Sequence, residues 1–264
     1  KFIFNKKIDI VIHAAGIASP FYYRKEPIET LDVAINGTRN CLEIAKKNNA
    51  KFIFFSSSEI YGDPDKLNVP TKETYRGNVS SMGPRACYDE SKRLGETLCY
   101  IYNNYYNVHT NIIRPFNVYG PGMGQKDYRI FPNFISNILN NKKINIYGTG
   151  DQTRTYCYIS DAIEGFIRVM EGDYCGPVNI GNPNEISIGQ LALKIKNKIN
   201  KNLNIIYKQL PNDDPLKRKP CIEVAKSNYK WHPKVELDHG LDETINYFAQ
   251  LGNTSYWTVE DVNN

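Results

Sequence analysis

The 264-residue chain has no C-x-x-C pair among its six cysteines, and its four histidines lack metal-ligand spacing. These absences argue against a zinc knuckle, a resident metal and a disulfide framework, and they favour a reduced, cytoplasmic setting. No apolar run approaches the roughly 18 residues that a membrane span requires. The net charge of +5 is mild and no segment is dense in Arg or Lys, so nucleic acid is not an expected partner.

Strand-like and helix-like segments instead alternate along the first half of the chain. Runs rich in β-branched and aromatic residues predict strands at 8–14, 51–57 and 110–116, the first of them buried on both faces. Helical periodicity marks 27–48, which Pro27 opens, and 85–106. Single helices between strands predict βαβ units, and therefore an α/β fold with a doubly wound parallel sheet.

The regular alternation stops after Val118, where a Gly/Pro-rich loop follows. Later segments predict short strands at 144–147 and 177–180, helices near 131–140 and 186–200, and a polar, irregular final sixty residues. We therefore expect a Rossmann-type domain over 1–118, to which 155–182 returns, and a smaller interleaved lobe, mainly for substrate binding, over 119–264.

Tyr88 and Lys92 are the first candidates for chemistry. Their i, i+4 spacing places both on one face of a helix. An ammonium near a phenol favours the phenolate, so we expect Lys92 to lower the pKa of Tyr88 and make it a general base. One such pair also arises by chance in a chain with 33 Lys and Arg residues, so the pair alone is weak evidence.

A hydroxyl-rich stretch, Ser56-Ser57-Ser58-Glu59, ends the second predicted strand, and Tyr88 follows Glu59 by 29 positions. The carboxyl ends of parallel strands are where open α/β sheets bind ligands. A serine run is otherwise most often a solvated turn. Its order relative to the Tyr-Lys pair favours a shared site.

Longer stretches extend this pattern and resemble the extended short-chain dehydrogenase/reductase family that acts on nucleotide sugars, within it most closely the UDP-glucuronic acid decarboxylases. The matching stretches are SSSEIYGDP (56–64), GPRACYDESKRLGETLCYIY (83–102), RPFNVYGPGM (114–123), YGTGDQTRTYCYISD (147–161), GPVNIGNPNE (176–185) and DDPLKRKP (213–220). The resemblance implies NAD as cofactor, a UDP-sugar as substrate, and decarboxylation of UDP-glucuronate to UDP-xylose through a 4-keto intermediate.

The resemblance also implies roles for single positions. Tyr88 would take the proton of the sugar 4-hydroxyl, Lys92 would bind the cofactor ribose, and Ser57 stands where the family usually has Thr. The implied catalytic residues are Ser57, Ser58, Glu59, Tyr88, Lys92 and Arg218. The implied cofactor contacts are Ala14, Gly16, Ser56, Ser57, Tyr88, Lys92 and Val118. The implied substrate contacts are Asn117, Tyr147, Arg154 and Arg218.

Two relatives within the family remain as alternatives. The 4,6-dehydratases usually carry an acidic residue where Ser58 stands, and 4-epimerases usually lack the acid found here as Glu59, so both positions favour decarboxylation. Ala34 and Asp32 depart from the usual Asn and Lys of decarboxylases. An acid at position 32 would disfavour an anionic sugar if it faces the site.

A third departure concerns the start of the chain. The stretch IDIVIHAAG (8–16) corresponds to the fourth strand of the family, and no G-x-x-G-x-x-G turn occurs in the sequence. We therefore expect the chain to lack about two βα units, on the order of 60 residues at ~30 per unit. Such a chain would bind NAD weakly and aggregate. A cofactor-free relative that binds only nucleotide sugar or a partner is the remaining alternative. The family also implies a homodimer through helices 27–48 and 85–106.

Overall fold

The structure, a computed structural model, describes residues 6–125, 127–209 and 217–251. Its strands are β1 (Ile10–His13), β2 (Lys51–Phe55), β3 (Thr110–Pro115), β4 (Val118–Tyr119), β5 (Ile144–Tyr147), β6 (Thr153–Thr155), β7 (Cys157–Tyr158), β8 (Pro177–Ile180), β9 (Glu185–Ser187) and β10 (Ile205–Lys208). Its α-helices are α1 (Pro20–Lys25), α2 (Pro27–Asn48), α3 (Ala86–Tyr106), α4 (Ile130–Leu139), α5 (Ile159–Glu171), α6 (Ile188–Ile199), α7 (Glu223–Tyr229) and α8 (Leu237–Gln250).

The main sheet contains four parallel strands in the order β1-β2-β3-β8. Ile10 pairs with Lys51, Phe52 with Thr110, and β8 adds to the far side of β3. Each connection between neighbouring strands passes through helix, as parallel pairing requires. The predicted Rossmann-type α/β fold is confirmed.

Side chains of β2 alternate between two cores, one on each face of the sheet. Phe52 and Phe54 are buried in a cluster with Leu42 of α2 and Cys99 of α3. Ile53, between them, is buried on the other face among residues of α5, β8 and Trp231. Because successive strand residues point to opposite faces, a strand with apolar residues at every position needs helices on both sides.

The two long helices on the first face end alike. Asn49 follows α2 at φ 52° and Asn107 follows α3 at φ 55°, both in the left-handed region that asparagine tolerates. Asn49 donates its backbone N–H to Ala45 and Lys46 carbonyls, which closes the last turn. These caps set where the chain leaves each helix to enter β2 and β3.

β1 corrects one expectation. Ile10 and Ile12 are 46% and 50% exposed, so the strand is not buried on both faces. Within the described residues β1 has β2 as its single neighbour in the sheet and lies at the edge. Val11 contacts the α2/α3 cluster instead.

A second core lies among α4, α6, α8 and the β5–β10 pair. It buries fifteen residues, among them Ile135, Ile144, Leu191 and Phe248. The expected irregularity of the final sixty residues is wrong for 223–229 and 237–250, which are helical. Helices α1 and α5 were also not predicted from the sequence. Residues 210–216, which hold part of the DDPLKRKP stretch, lie outside the described residues.

Three further observations concern membrane spans, disulfides and metal sites. In the described parts of the chain, no helix combines the length and apolarity needed to cross a membrane. The six cysteines are free. Across the same residues, His, Cys, Asp and Glu side chains nowhere gather in a group of three that could hold a metal ion.

Candidate active site

The carboxyl end of β2 carries the predicted serine-rich segment. After Phe55 the chain turns at Ser57 into a 3₁₀ turn, Ser58–Tyr61. The Ser57 hydroxyl accepts a hydrogen bond from the Glu59 backbone N–H at 3.2 Å and so caps the turn. Ser57 and Ser58 are buried. Two hydroxyls and a carboxylate therefore lie at the sheet edge where such folds bind ligands.

Helix α3 brings Tyr88 and Lys92 to the same place. The Lys92 Nζ donates to the Phe55 carbonyl at 2.8 Å and lies 5.7 Å from the centre of the Tyr88 ring. The Ser57 side chain hydrogen-bonds to Tyr88. Both Tyr88 and Lys92 are buried, at 7% and 6% exposure. The hydroxyl, the phenol and the ammonium thus lie together at the carboxyl end of β2.

The electrostatics of Tyr88 differ from the expectation. Burial raises the pKa of Tyr88 to about 12, the Ser57 hydrogen bond opposes that rise, and Glu59 adds to it. Burial also lowers the pKa of Lys92 to about 8. The Lys92 ammonium is directed to the Phe55 carbonyl, so the expected lowering of the Tyr88 pKa by Lys92 is wrong for this structure.

Glu59 is held between two guanidinium groups. Arg218 Nη1 contacts one carboxylate oxygen and Arg85 Nη2 contacts the other. Burial alone would raise the pKa of Glu59, but Arg218, Arg85 and the more distant Arg154 hold it below its ordinary value. Glu59 is therefore an ionised carboxylate near neutral pH. It links the 3₁₀ turn after β2 to a segment 159 residues further along the chain.

Three residues around this carboxylate were not predicted from the sequence. Tyr23 of α1 stacks on Tyr88 with ring centres 5.3 Å apart, and Asp89 lies 3.6 Å from the Arg85 Nε. Arg85 belongs to the matching stretch 83–102 and precedes Tyr88 by three residues, so the sequence offered a reason to include it. Tyr23 gave none, because its helix has six residues and no distinctive period.

Several buried polar atoms at this place have no hydrogen-bond partner. They are the Tyr23 hydroxyl, Asp89 Oδ1 and Arg218 Nε. Buried polar groups in native proteins are almost always satisfied, so a cluster of exceptions indicates where a ligand supplies the partner. The unpartnered atoms surround Glu59 and Tyr88.

The predicted substrate contacts are less tightly grouped. Asn117 lies beside β6, where its Nδ2 donates to the Thr155 carbonyl at 3.4 Å. Arg154, which precedes Thr155 in β6, lies close enough to Glu59 to lower the pKa of that carboxyl. Tyr147 ends β5 and is 40% exposed. The structure thus brings Arg154 towards Glu59, places Asn117 beside Thr155 and leaves Tyr147 at the surface.

The predicted cofactor contacts differ in exposure and in the bonds that they already make within the protein. Gly16 approaches Lys92 closely, since a Cβ at Gly16 would lie 3.6 Å from the Lys92 Nζ, and the neighbouring Ala14 is exposed. The Ser56 hydroxyl instead donates to Glu96 at 2.5 Å, so its proton is already used within the protein. Val118 packs partly buried against the α5 core.

The donor set suits the nicotinamide half of NAD. A buried ammonium, a phenol and a hydroxyl, from Lys92, Tyr88 and Ser57, converge beside the open strand end at Gly16. These are hydrogen-bonding groups that hold a ribose diol, and the exposed backbone of residues 14–16 leaves room for a flat ring. The residues present therefore fit the group.

A cavity of about 510 Å³ lies elsewhere in the molecule. Its lining includes Glu185, Leu193 and Asp238, near α6 and the start of α8, and none of the predicted site residues. The cavity holds no cluster of unpartnered polar atoms, whereas the Glu59 region does. The chemistry therefore points to the carboxyl end of β2.

Fold and site together define a Rossmann-type protein with a Ser, Tyr and Lys constellation at the carboxyl ends of its strands. The chain belongs to the NAD dependent epimerase/dehydratase family, whose model matches residues 1–181. The predicted membership of this wider group is confirmed.

Two plant proteins are similar to this chain over most of its length. UDP-glucuronic acid decarboxylase 2 of Arabidopsis thaliana is 43% identical over 92% of this chain and 54% of its own length. UDP-glucuronic acid decarboxylase 5 of the same plant is 43% identical over 89% of this chain and 68% of its own. The chain thus spans about half the length of the first of these relatives.

Solved structures share the fold. UDP-glucose 4-epimerase of Thermotoga maritima superposes with a TM-score of 0.85 at 28% identity, over 93% of this chain and 78% of the other. UDP-glucuronic acid 4-epimerase of Bacillus cereus, solved with UDP-glucuronic acid and NAD, gives 0.79 at 27% identity, over 92% and 76%. Both are similar in architecture to the described sheet and helices.

Proposed function

We propose that this protein decarboxylates UDP-glucuronate to UDP-xylose through a 4-keto intermediate, with NAD as a cofactor that is regenerated in each cycle. The observation that carries the proposal is the segment 57–59. It contacts Tyr88 on one side and Arg218 on the other. The 43% identity to UDP-glucuronic acid decarboxylase 2 supports the choice of substrate.

Lys92, Tyr88 and the strand end at Ala14 and Gly16 would hold the nicotinamide half of the cofactor. When bound, NAD⁺ supplies the hydride acceptor that turns the C4 alcohol into a ketone. Lys92 is buried and already oriented by the Phe55 carbonyl, so its remaining N–H donors are free to bind a ribose hydroxyl without reorganisation.

Tyr88 and Ser57 would handle the C4 hydroxyl. Once ionised, the Tyr88 oxygen would accept the hydroxyl proton, and the Ser57 hydroxyl would hold the C4 oxygen in place. Because burial raises the pKa of Tyr88 to about 12, the free site holds a neutral phenol near pH 7. A positively charged nicotinamide ring beside the phenol would favour its ionised form.

The second half of the reaction breaks the bond between C5 and the carboxyl carbon. CO₂ leaves, the electron pair moves into a C4–C5 enolate, and a proton then adds to C5. Ser57 and Tyr88 donate hydrogen bonds to the enolate oxygen. Glu59 is ionised and so acts by holding Arg218 and Arg85, rather than as an acid, while Ser58 lies beside it.

Nucleotide binding falls to Asn117, Tyr147, Arg154 and Arg218. Arg154 and Arg218 offer guanidinium groups, which pair well with diphosphate oxygens. Arg218 also contacts Glu59, so a single residue joins the nucleotide side of the site to the reacting carbon.

A second candidate function is 4-epimerisation of a UDP-sugar. The observation that favours it is the fold similarity to two UDP-sugar 4-epimerases. A 4,6-dehydratase, or a binding protein without catalysis, remains a weaker alternative, since Ser58 offers no acid for water elimination.

The deciding experiment supplies NAD⁺ and UDP-glucuronate labelled in the carboxyl group. We expect labelled CO₂, a UDP-pentose and no net rise in NADH absorbance, because the hydride returns within the cycle. A UDP-hexuronate product without CO₂ would instead assign an epimerase. Turnover of UDP-glucose or dTDP-glucose with loss of water would assign a dehydratase.

Assembly and location are part of the same proposal. Helices α2 and α3 pack together and expose apolar side chains, among them Ile28 at 64% and Tyr100 at 61%. We propose a homodimer through these helices, a cytoplasmic location, and a division into a cofactor domain (1–118 with 155–182) and a mainly substrate-binding lobe. Sedimentation of the protein, compared with an Ile28→Lys/Tyr100→Lys variant, tests the dimer.

A further inference from the structure

A buried ion pair lies beneath the candidate active site. Arg114 of β3 donates from Nε and Nη2 to the two carboxylate oxygens of Glu96 on α3, at 2.8 and 2.6 Å. Its Nη1 also donates to the Glu73 carbonyl at 2.8 Å. Arg114 is 6% exposed. None of these three residues is among the groups assigned above to substrate or cofactor.

The pair binds the chain on both sides of the segment 57–59. On one side, the Ser56 hydroxyl donates to Glu96 at 2.5 Å. On the other side, Arg114 Nη1 donates to the Tyr61 hydroxyl at 2.6 Å. Beyond the end of β2, the Ser56 backbone N–H still donates to the Ile113 carbonyl of β3, and Ser57 keeps an extended backbone. Successive extended residues point to opposite faces, so anchoring the side chain of residue 56 directs that of residue 57 the other way. The pair therefore restricts both ends of the turn.

A further branch reaches the segment that carries Arg218. The Tyr61 hydroxyl donates to Asn179 Oδ1 at 2.7 Å. Asn179 Nδ2 donates to the carbonyls of Thr71 and Cys221, both at 3.0 Å. Residue 221 follows Arg218 by three positions. Side chains distant in sequence are thus connected to one guanidinium group.

We infer that Arg114 and Glu96 are positioning residues, which hold the segment 57–59 and Arg218 in register with Tyr88 on α3. What those groups do chemically rests on the proposed function. Reacting groups must be held close to their productive positions, and displacement by about 1 Å can cost about a hundredfold in rate.

Ser56→Ala and Tyr61→Phe test the inference, because each removes one hydroxyl that links the pair to the turn. Tyr102→Phe is the matched control. Its buried hydroxyl also donates to a carboxylate, that of Glu43, but at the other end of α3. Each variant is examined by amide hydrogen exchange of residues 55–62 and by kcat and KM with UDP-glucuronate.

We expect faster exchange in residues 55–62 for Ser56→Ala and Tyr61→Phe, with kcat lowered by about tenfold to a hundredfold and KM within a few-fold. Tyr102→Phe should leave exchange in this segment and kcat unchanged. A merely structural role would lower thermal stability equally in all three variants without separating kcat from KM.

Two outcomes separate this inference from the proposed function. Unchanged exchange and unchanged kcat in both variants, with an active parent, would overturn the positioning role and leave the function standing. Faster exchange in residues 55–62 of the two variants, with a parent that releases no CO₂, would support the positioning role and reject the function.

Discussion

Two buried ionic clusters lie at the same end of the sheet and differ in how well they are satisfied. Arg114 and Glu96 share two hydrogen bonds. Glu96 Oε1 also accepts from Ser56, and Arg114 Nη1 donates to Tyr61 and to a backbone carbonyl. Around Glu59, by contrast, Arg218 Nε and Asp89 Oδ1 have no partner.

The difference separates scaffold from site. A fully satisfied polar network rigidifies the elements it joins, whereas an unpartnered buried group raises the free energy of the empty protein. That cost is recovered when a ligand supplies the missing bonds. The two clusters therefore predict different responses to mutation. Loss of a charge in the first should mainly cost stability, with activity falling through displacement of the turn, whereas changes in the second should mainly cost activity.

Tyr88→Phe should give the largest effect. It removes the proton-accepting oxygen and leaves the stacked ring against Tyr23, so turnover should fall about 10²–10⁴-fold, the usual range for general base catalysis. UDP binding, measured by calorimetry, should stay within a few-fold because the nucleotide contacts are remote. Activity equal to the parent would remove Tyr88 from the mechanism, and Tyr102→Phe serves as the control.

Glu96→Gln and Glu59→Gln together test the difference between the two clusters. Removing the Glu96 charge leaves Arg114 buried without its counter-ion, which should cost about 3–5 kcal/mol of unfolding free energy. Glu59→Gln should cost less. It also leaves a buried guanidinium, that of Arg218, without its ion-pair partner, but Asp89 remains as a second carboxylate, 3.6 Å from Arg85 and close enough to Arg218 for that charge to lower its pKa. Urea unfolding of both variants measures the difference. Equal losses would contradict the division into scaffold and site.

Asp89→Asn should have the smallest effect, and it should raise the free energy of unfolding rather than lower it. Burial and the nearby Glu59 raise the Asp89 pKa from 3.8 to about 6. The folded state then binds more protons than the unfolded state in that window, so stability falls as pH rises through it. The amide avoids this penalty, so we expect a gain of about 1–3 kcal/mol above pH ~6 and little below pH ~4.

Thermal unfolding of the parent and the Asp89→Asn variant across this pH range tests the sign. A gain that is independent of pH would mean that the charge of Asp89 is not its cause. Glu90→Gln, one position further on α3, is the control, because Glu90 makes a half-exposed pair with Arg93 at 3.6 Å.

Much of the fold followed from local patterns. Pro27 and the helical period predicted α2 to its last residue, and the apolar run after Lys51 predicted β2, because short-range periodicity reports burial directly. Helix α1, with six residues, was too short for a period to show. The Tyr88–Lys92 pair was also predictable, since i, i+4 spacing alone places two side chains on one helix face.

Local sequence patterns were enough to predict the alternating strands and helices of the first half of the chain, the Ser, Tyr and Lys candidates and the family. Which polar groups are paired and which are left open depends on how the separate elements pack. Tyr61 meets Asn179 across 118 positions, and Glu59 meets Arg218 across 159. Burial, which raised the Tyr88 pKa where the spacing to Lys92 suggested a fall, is likewise a property of the packed chain. No local pattern encodes such contacts, because they arise when separate elements pack together.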